Sequence, residues 1–324
     1  MLTHLLTILL VLATDPLKDY HIFQGIDYIY HENYEFARRE FDALITIYPE
    51  DPEGFFYLSS LLETLDSFDP RPETKAQLDS VAEIAVKLAE KKLKVEKNAY
   101  NLFYVGSTRG ERAVRRALRG DWFGCLLDGM KARKNLELAF KEDSTFLDVY
   151  MGFGLYDYYL GKYLSFIPWL RGRKLKGIDE LKIASQKGKY ARKPALFFLL
   201  RIYLLENMDS EAIRIIKELR QICPTNTALL CDEAEVYYNK GEYRKAIKSC
   251  VHSLSLSENK RPFNPRVRAS CYLMLGESYN ELKEIEKAST NCELAMRELN
   301  GINENWAKEI REEAQKLSQK LKGG

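Results

Sequence analysis

The sequence is poor in the residues that do metal and redox chemistry. It holds four histidines, His4, His21, His31 and His252, and no HExxH or Cys/His spacing brings them together, so no zinc site is expected. Six cysteines stand at 125, 223, 231, 250, 271 and 292 without a single CxxC pair. In a large helical chain they read as small apolar core residues, not as a disulfide framework. Strand signals are missing too, with no alternating apolar and polar runs joined by hairpin turns. Nor is there a phosphate loop. Gly106-Ser-Thr-Arg-Gly110 follows no strand and lacks a GK[ST] ending, and Gly152-Phe-Gly154 lacks a third glycine. With no Ser/His/Asp set, catalytic residues, cofactor and metal are all read as none, and the chain as a non-enzyme.

Apolar runs are short. Residues 5–13 form one, but a bilayer span needs about 20 residues. That run resembles the apolar part of a secretory signal, with Val11 and Ala13 ahead of a cut before Thr14, although no Lys or Arg precedes it. Its other reading is a helix packed against the next one in the chain. The expectation taken forward is export to an envelope-facing compartment over a cytoplasmic location.

What the chain does have is charge, unevenly spread. The net charge is +2, yet residues 87–193 carry 24 Lys+Arg against 12 Asp+Glu, leaving acidic flanks around a basic middle. A hydrophobic fraction of 46% is that of a folded protein.

Apolar residues recur at three- and four-residue spacing in segments of helical length. Laid on a ruler of about 34 residues, the period of a helix–turn–helix repeat, the segments align. In 18–51 the small, aromatic, small, bulky and helix-stopping positions are Gly25, Tyr28, Ala37, Phe41 and Pro49. In 193–226 they are Leu200, Tyr203, Ala212, Ile216 and Pro224; 227–260 follows directly with Ala234, Tyr237, Gly241, Ala246 and Cys250. After a spacer holding Pro262 and Pro265, 269–302 gives Gly276, Tyr279, Ala288 and Cys292, and 304–322 reads as a charged capping helix. Small residues are needed where the two helices of a pair cross, and proline marks the turn to the next pair.

This pattern resembles the tetratricopeptide repeat (TPR). It implies an all-α, TPR-like, right-handed superhelical solenoid of antiparallel helix pairs. Residues 52–192 stay helical but leave the ruler, with helices expected over 74–96, 99–118, 122–140, 146–160 and 174–188. They read as degenerate helix pairs carrying an inserted loop, the alternative being a break into two domains near residue 70. Within this middle, Tyr150-Met-Gly-Phe-Gly-Leu-Tyr-Asp-Tyr-Tyr159 and Ile167-Pro-Trp-Leu-Arg-Gly-Arg-Lys-Leu-Lys-Gly177 look like a group of exported bacterial TPR proteins. They are fainter kin to eukaryotic TPR-like proteins linked to inclusion-body clearance. That likeness covers about residues 100–260 and implies no catalytic residue.

Three surfaces stand out. The resemblance implies a concave groove lined by Arg201, Leu204 and Leu205, by Glu235, Tyr238 and Asn239, and by Glu277, Asn280 and Glu281. The Lys/Asn clamp by which co-chaperone TPRs hold a terminal carboxylate is missing. Arg109, Arg112, Arg115, Arg116 and Arg119 fall on one helical stripe opposite Ala113, Val114, Ala117 and Leu118, a face suited to an anionic partner. The third is an aromatic block from Phe146 to Trp169, either repeat core with its loop folded back on it or an interface loop of Tyr163, Phe166, Trp169, Arg171, Arg173 and Lys174. These surfaces point to a scaffold capturing a protein or peptide segment in the groove. The alternative is a protein that binds a membrane surface or polyanion through the basic middle, 109–193, with nucleic acid disfavoured as a partner.

Overall fold

The computed structural model describes residues 15–323; the run at 5–13 lies outside the described residues. Among those described there are fifteen α-helices, one short 3-10 turn and no strand. The helices are α1 (Pro16–Tyr30), α2 (Tyr34–Ile47), α3 (Pro52–Asp66), α4 (Pro72–Val95), α5 (Ala99–Leu118), α6 (Trp122–Glu142), α7 (Val149–Tyr163) and α8 (Arg173–Lys187). They continue with α9 (Arg192–Leu205), α10 (Asp209–Ile222), α11 (Thr227–Asn239), α12 (Tyr243–Ser257), α13 (Pro265–Glu281), α14 (Ile285–Glu298) and α15 (Asn305–Gly323).

The chain divides into two compact units. The first holds Tyr34–Thr64, Arg71–Ala195 and α1 up to Ile29; the second holds Leu196 onward together with the short stretches Tyr30–Asn33 and Leu65–Pro70. The longest boundary between them runs through α9, between Ala195 and Leu196, and a shorter exchange falls at Leu65–Pro70.

In the first unit three helix pairs close on a small residue. A Cβ at Gly25 would lie 2.1 Å from the Phe41 ring, so α1 and α2 can approach only because position 25 carries no side chain. The pair α5–α6 repeats this with Gly106 against Leu136, where a Cβ would sit 2.7 Å from Leu136 Cγ and 3.2 Å from the Ala132 carbonyl. The pair α7–α8 crosses more tightly, Gly154 facing Leu181 and the Gly177 carbonyl, the latter 2.7 Å from a Cβ at 154. Each second helix thus offers a small residue and a bulky one a helical turn later: Ala37 and Phe41, Ala132 and Leu136, Gly177 and Leu181. The repeat ruler fails over 52–192 because residues were added away from the crossings. In α5–α6 they lengthen the helices, to 20 and 21 residues. In α7–α8 they form the connection that carries the 3-10 turn Pro168–Leu170.

The second unit uses the same device. Gly276 of α13 lies against Cys292 Sγ of α14, 3.0 Å from a Cβ built at 276, with the Ala288 carbonyl at 3.3 Å. Part of its interior is made of small side chains: Ala234, Ala246, Cys250, Val267, Cys271 and Leu275 form one cluster, with Cys231 and Tyr237 packed on it. Cys292 and Ala295 join Leu273 and Ala314 of α15 in another, so the charged last helix is anchored by a narrow apolar stripe. All six cysteines are free thiols, and four are buried. Small cores of this kind trade apolar area for close helix approach, since burial contributes only about 25 cal/mol per Å².

Several helix starts are capped by side chains. Asn98 and Asp121 cap α5 and α6, accepting from Asn101 N and Gly124 N at 2.8 Å each. Asn264 accepts from Val267 N at 3.1 Å, which makes Pro265 the first residue of α13. The stretch read as a Pro262/Pro265 spacer is therefore shorter than expected, because proline is favoured at a first helical position. Two caps come from far away in sequence. Asp148 accepts from the backbone N–H groups of Tyr190 and Ala191, both at 2.7 Å, at the head of α9. Glu32, at φ 59°, accepts from Thr227 N at 3.1 Å and Thr227 Oγ1 at 2.8 Å at the head of α11. Burial pushes the Glu32 carboxyl up against those hydrogen bonds.

Candidate functional site

In the second unit the first helices of successive pairs, α11, α13 and α15, follow α9 and carry the groove residues. At its α9 end the charges are matched. Arg201 Nη1 donates to Asp232 Oδ1 at 2.9 Å. Burial pulls the Asp232 carboxyl up while Arg201 opposes it, and Asp232 in turn raises Arg201. Arg266, at the first turn of α13, is lowered by burial and by Arg201, which places the two guanidiniums in one field.

Farther along, the matching stops. Burial, then Glu313 and Glu281, push the Glu277 carboxyl up to about 7. Glu235 is raised by burial and Asp232 in spite of Arg201. The Tyr238 hydroxyl is pushed up to about 12 by burial and by Glu277 and Glu281. Among the described residues no ion pair reaches Glu235, Glu277, Glu281 or Glu313; the hydrogen bond on them is from Asn280 Nδ2 to Glu281 at 3.4 Å. Leu204 is buried and Leu205 and Asn239 are exposed. The sequence pattern did not reveal Asp232, Arg266 or Glu313. Arg266 was hidden by the misplaced start of α13. Glu313 was hidden by treating α15 as a solvated cap when it occupies the place of a further first helix.

The arginine stripe of α5 is differently placed. Asp128 of α6, buried, receives Arg112 through both Nε (2.8 Å) and Nη2 (2.9 Å), Arg109 at 3.1 Å and Arg116 at 3.3 Å. Burial raises the Asp128 carboxyl, but Arg112, Arg116 and Arg109 outweigh it and hold it below the usual range. Arg109 also pairs with Glu90, Arg112 with Glu83 and Arg119 with Asp79. Arg115 is buried, 8% exposed, and sits 3.7 Å from Glu111. Burial and Glu63 push the Glu111 carboxyl up to about 7, with Arg115 and the Ser59 and Ser60 hydroxyls opposing. The side assigned as opposite is partly reversed, for Val114 and Leu118 are exposed, Leu118 at 78%. The helix faces acidic neighbours on its arginine side, so the guanidiniums knit α4, α5 and α6 together.

The aromatic block splits in two. Phe153 and Tyr158 are buried in the pair α7–α8, and Phe146 packs on Phe103 with ring centres 4.8 Å apart. The loop does not fold back: Tyr163, Phe166 and Trp169 are all exposed. Of its cations, Arg173 donates to Asp157 at 2.6 Å, Arg171 Nε donates to the Ser165 carbonyl at 3.3 Å, and Lys174 is half-buried beside Gly161.

The crossings and turns establish the architecture. The fold is tetratricopeptide-like. No protein-family model and no curated protein matches the sequence. Among solved structures the chain is similar to a TPR protein from Parabacteroides merdae, at 15% identity over 93% of this chain and 100% of that one, with a TM-score of 0.42. It is also similar to the C-terminal part of a TPR repeat-containing protein from Cytophaga hutchinsonii, at 14% identity, 89% and 98% coverage and a TM-score of 0.46. A chain of the APC/C Cut9–Hcn1 hetero-tetramer matches at 16% identity over 86% of this chain, with a TM-score of 0.43, and this chain spans 58% of it.

Proposed function

We propose that the protein is a non-catalytic scaffold whose second unit captures a basic segment of a protein partner along α11, α13 and α15. The observation that carries this reading is the carboxylate group at Glu277, Glu281 and Glu313. Glu277, half-buried, bears its charge at a cost raised further by the exposed Glu313 and Glu281 in the unliganded protein, and a Lys- or Arg-bearing segment removes that cost on binding. The preformed helical wall loses little entropy when it is occupied. Tyr238 and Leu205 add contacts for an apolar side chain beside the cation, and Arg201, held by Asp232, does not compete for the site. The groove expected from the repeat thereby gains a sign of charge.

Calorimetric titration of the full chain at pH 8 with a peptide of alternating Lys and Leu, and with its Glu-for-Lys counterpart, tests the proposal. The basic peptide should bind and the acidic one should not. Replacing Glu235, Glu277 and Glu281 together by Gln should weaken the basic peptide at least about tenfold, about 1.4 kcal/mol. Equal binding to the triple variant contradicts the reading.

A further inference from the structure

The first unit leaves a second surface unaccounted for. On α6 the side chains of Trp122, Leu126 and Met130, one turn apart, are all exposed, with Phe123 beside them; Trp122 is 66% and Phe123 74% exposed. Side chains of this size are ordinarily turned inward, and here α6 already has an inner face, made by Ala132, Leu136 and Ala139. The exposed stripe is therefore a second apolar face on a helix that has spent its first on the core.

This stripe runs level with the exposed loop after α7. Along α6 and α7 the contacts pair Phe140 with Tyr150, ring centres 5.5 Å apart, Arg133 with Asp157 at 3.7 Å, and Gly129 with Tyr156, 3.5 Å from a Cβ at 129. The helices are antiparallel, so continuing the register brings the start of α6 beside the end of α7 and the loop beyond it. There Phe166 is 72% and Trp169 80% exposed, and Leu175 opens to solvent on the first turn of α8. Residues 158–178 contain no Asp or Glu but five cations, Lys162, Arg171, Arg173, Lys174 and Lys176. Two of these, Arg173 and Lys176, are bonded to the buried Asp157, each at 2.6 Å, so the excess of positive charge at this edge is smaller than the count.

We infer that this edge of the first unit seats the protein on an anionic lipid bilayer, with the aromatic and aliphatic side chains entering the headgroup region and the cations meeting lipid phosphates. The mixture decides the occupant. Trp beside Lys and Arg suits the interface between headgroups and acyl chains, and Leu126, Met130 and Leu175 gain from lipid in a way that stacking on nucleobases would not supply. A second copy of the chain would bring an equally basic loop against this one, whereas an anionic leaflet supplies the opposite charge. No described helix is long and apolar enough to cross a membrane, so the contact is one of lying on the surface. This surface is separate from the acidic groove and does not depend on it.

Co-sedimentation of the full chain with vesicles of phosphatidylcholine, with and without phosphatidylglycerol, tests the inference. Binding should require phosphatidylglycerol and fall as salt rises. In a Trp306→Phe background the emission of Trp122 and Trp169 should be quenched by brominated acyl chains. Phe123→Glu with Phe166→Glu should cut vesicle binding at least about tenfold while leaving the unfolding midpoint and basic-peptide binding unchanged, because both rings are exposed. Replacing Lys162, Arg171 and Lys174 by Gln should weaken binding to the mixed vesicles alone. The inference fails if neither vesicle binds, if quenching is absent, or if the double Phe variant binds as wild type does. It fails equally if a dimer that this variant dissolves accounts for the patch, or if RNA binds and vesicles do not.

Discussion

Glu277 gives the sharpest test of the groove's electrostatics. Its carboxyl stands near 7 in the folded protein against 4.5 for an unperturbed glutamate, chiefly from burial and then from Glu313 and Glu281. A raised acid pKa means that the folded state holds its proton more tightly than the unfolded chain does. The associated stability is complete below pH 4.5 and is lost as pH rises through about 7. At 1.36 kcal/mol per pH unit, the loss at pH 8 amounts to as much as about 3 kcal/mol. Glu277→Gln keeps the shape and removes the charge. Its unfolding free energy in urea should therefore exceed that of wild type at pH 8 by up to about 3 kcal/mol and meet it near pH 4. Basic-peptide binding should strengthen between pH 6 and pH 8 in wild type and be flat in the variant. Parallel stability curves at the two pH values would refute the assignment of an uncompensated, half-buried carboxylate.

Two further perturbations probe the first unit. Asp128→Asn leaves Arg109, Arg112 and Arg116 facing one another without their shared carboxylate, and should cost about 3–5 kcal/mol in urea unfolding at pH 7. Because the Asp128 carboxyl is held low, its contribution should fade only as pH falls below the usual carboxylate range, and Asn and wild type should converge there. Gly154→Ala puts a Cβ 2.7 Å from the Gly177 carbonyl and 2.9 Å from Leu181 N, backbone atoms that cannot step aside. It should lower stability by about 1–3 kcal/mol, whereas an alanine at the solvent-facing Gly172 should be near neutral.

The architecture was readable because its rule is local. Gly25 with Phe41, and Gly276 with Cys292, are residues that meet at a fixed separation of 16, and the separation survives wherever both helices keep their length. Gly154 with Leu181 obeys the same contact, but a connection of altered length sits between them, so a fixed ruler cannot find it. The groove was legible in outline for the same reason. Glu235 and Tyr238 occupy counted positions on α11, whose start at Thr227 the ruler gives, and Glu277 and Glu281 are counted positions on α13, although that helix begins earlier than the ruler places it, at Pro265. Arg266 needed the true start of α13, Glu313 the knowledge that α15 continues the row, and Asp232 its partner Arg201 on α9, which no count along α11 supplies. The arginine stripe shows the opposite limit. Helical geometry aligned the five residues, but nothing in α5 announces that Asp128, Glu90 and Asp79 lie opposite them, because those carboxylates come from other helices. The exposed stripe of α6 could not be found either, since Trp122, Leu126 and Met130 have the spacing of a core face and only packing reveals that α6 has two.

The central claim is that a basic segment lies along α11, α13 and α15. A Lys/Leu peptide carrying a photoreactive side chain, crosslinked to the full chain and mapped by mass spectrometry, reads the site directly. The account predicts crosslinks at Tyr238, Glu277 and Asn280 that vanish in the Glu235, Glu277 and Glu281 triple Gln variant. Crosslinks that instead gather on α6 or on the loop around Trp169, and persist in that variant, would contradict it.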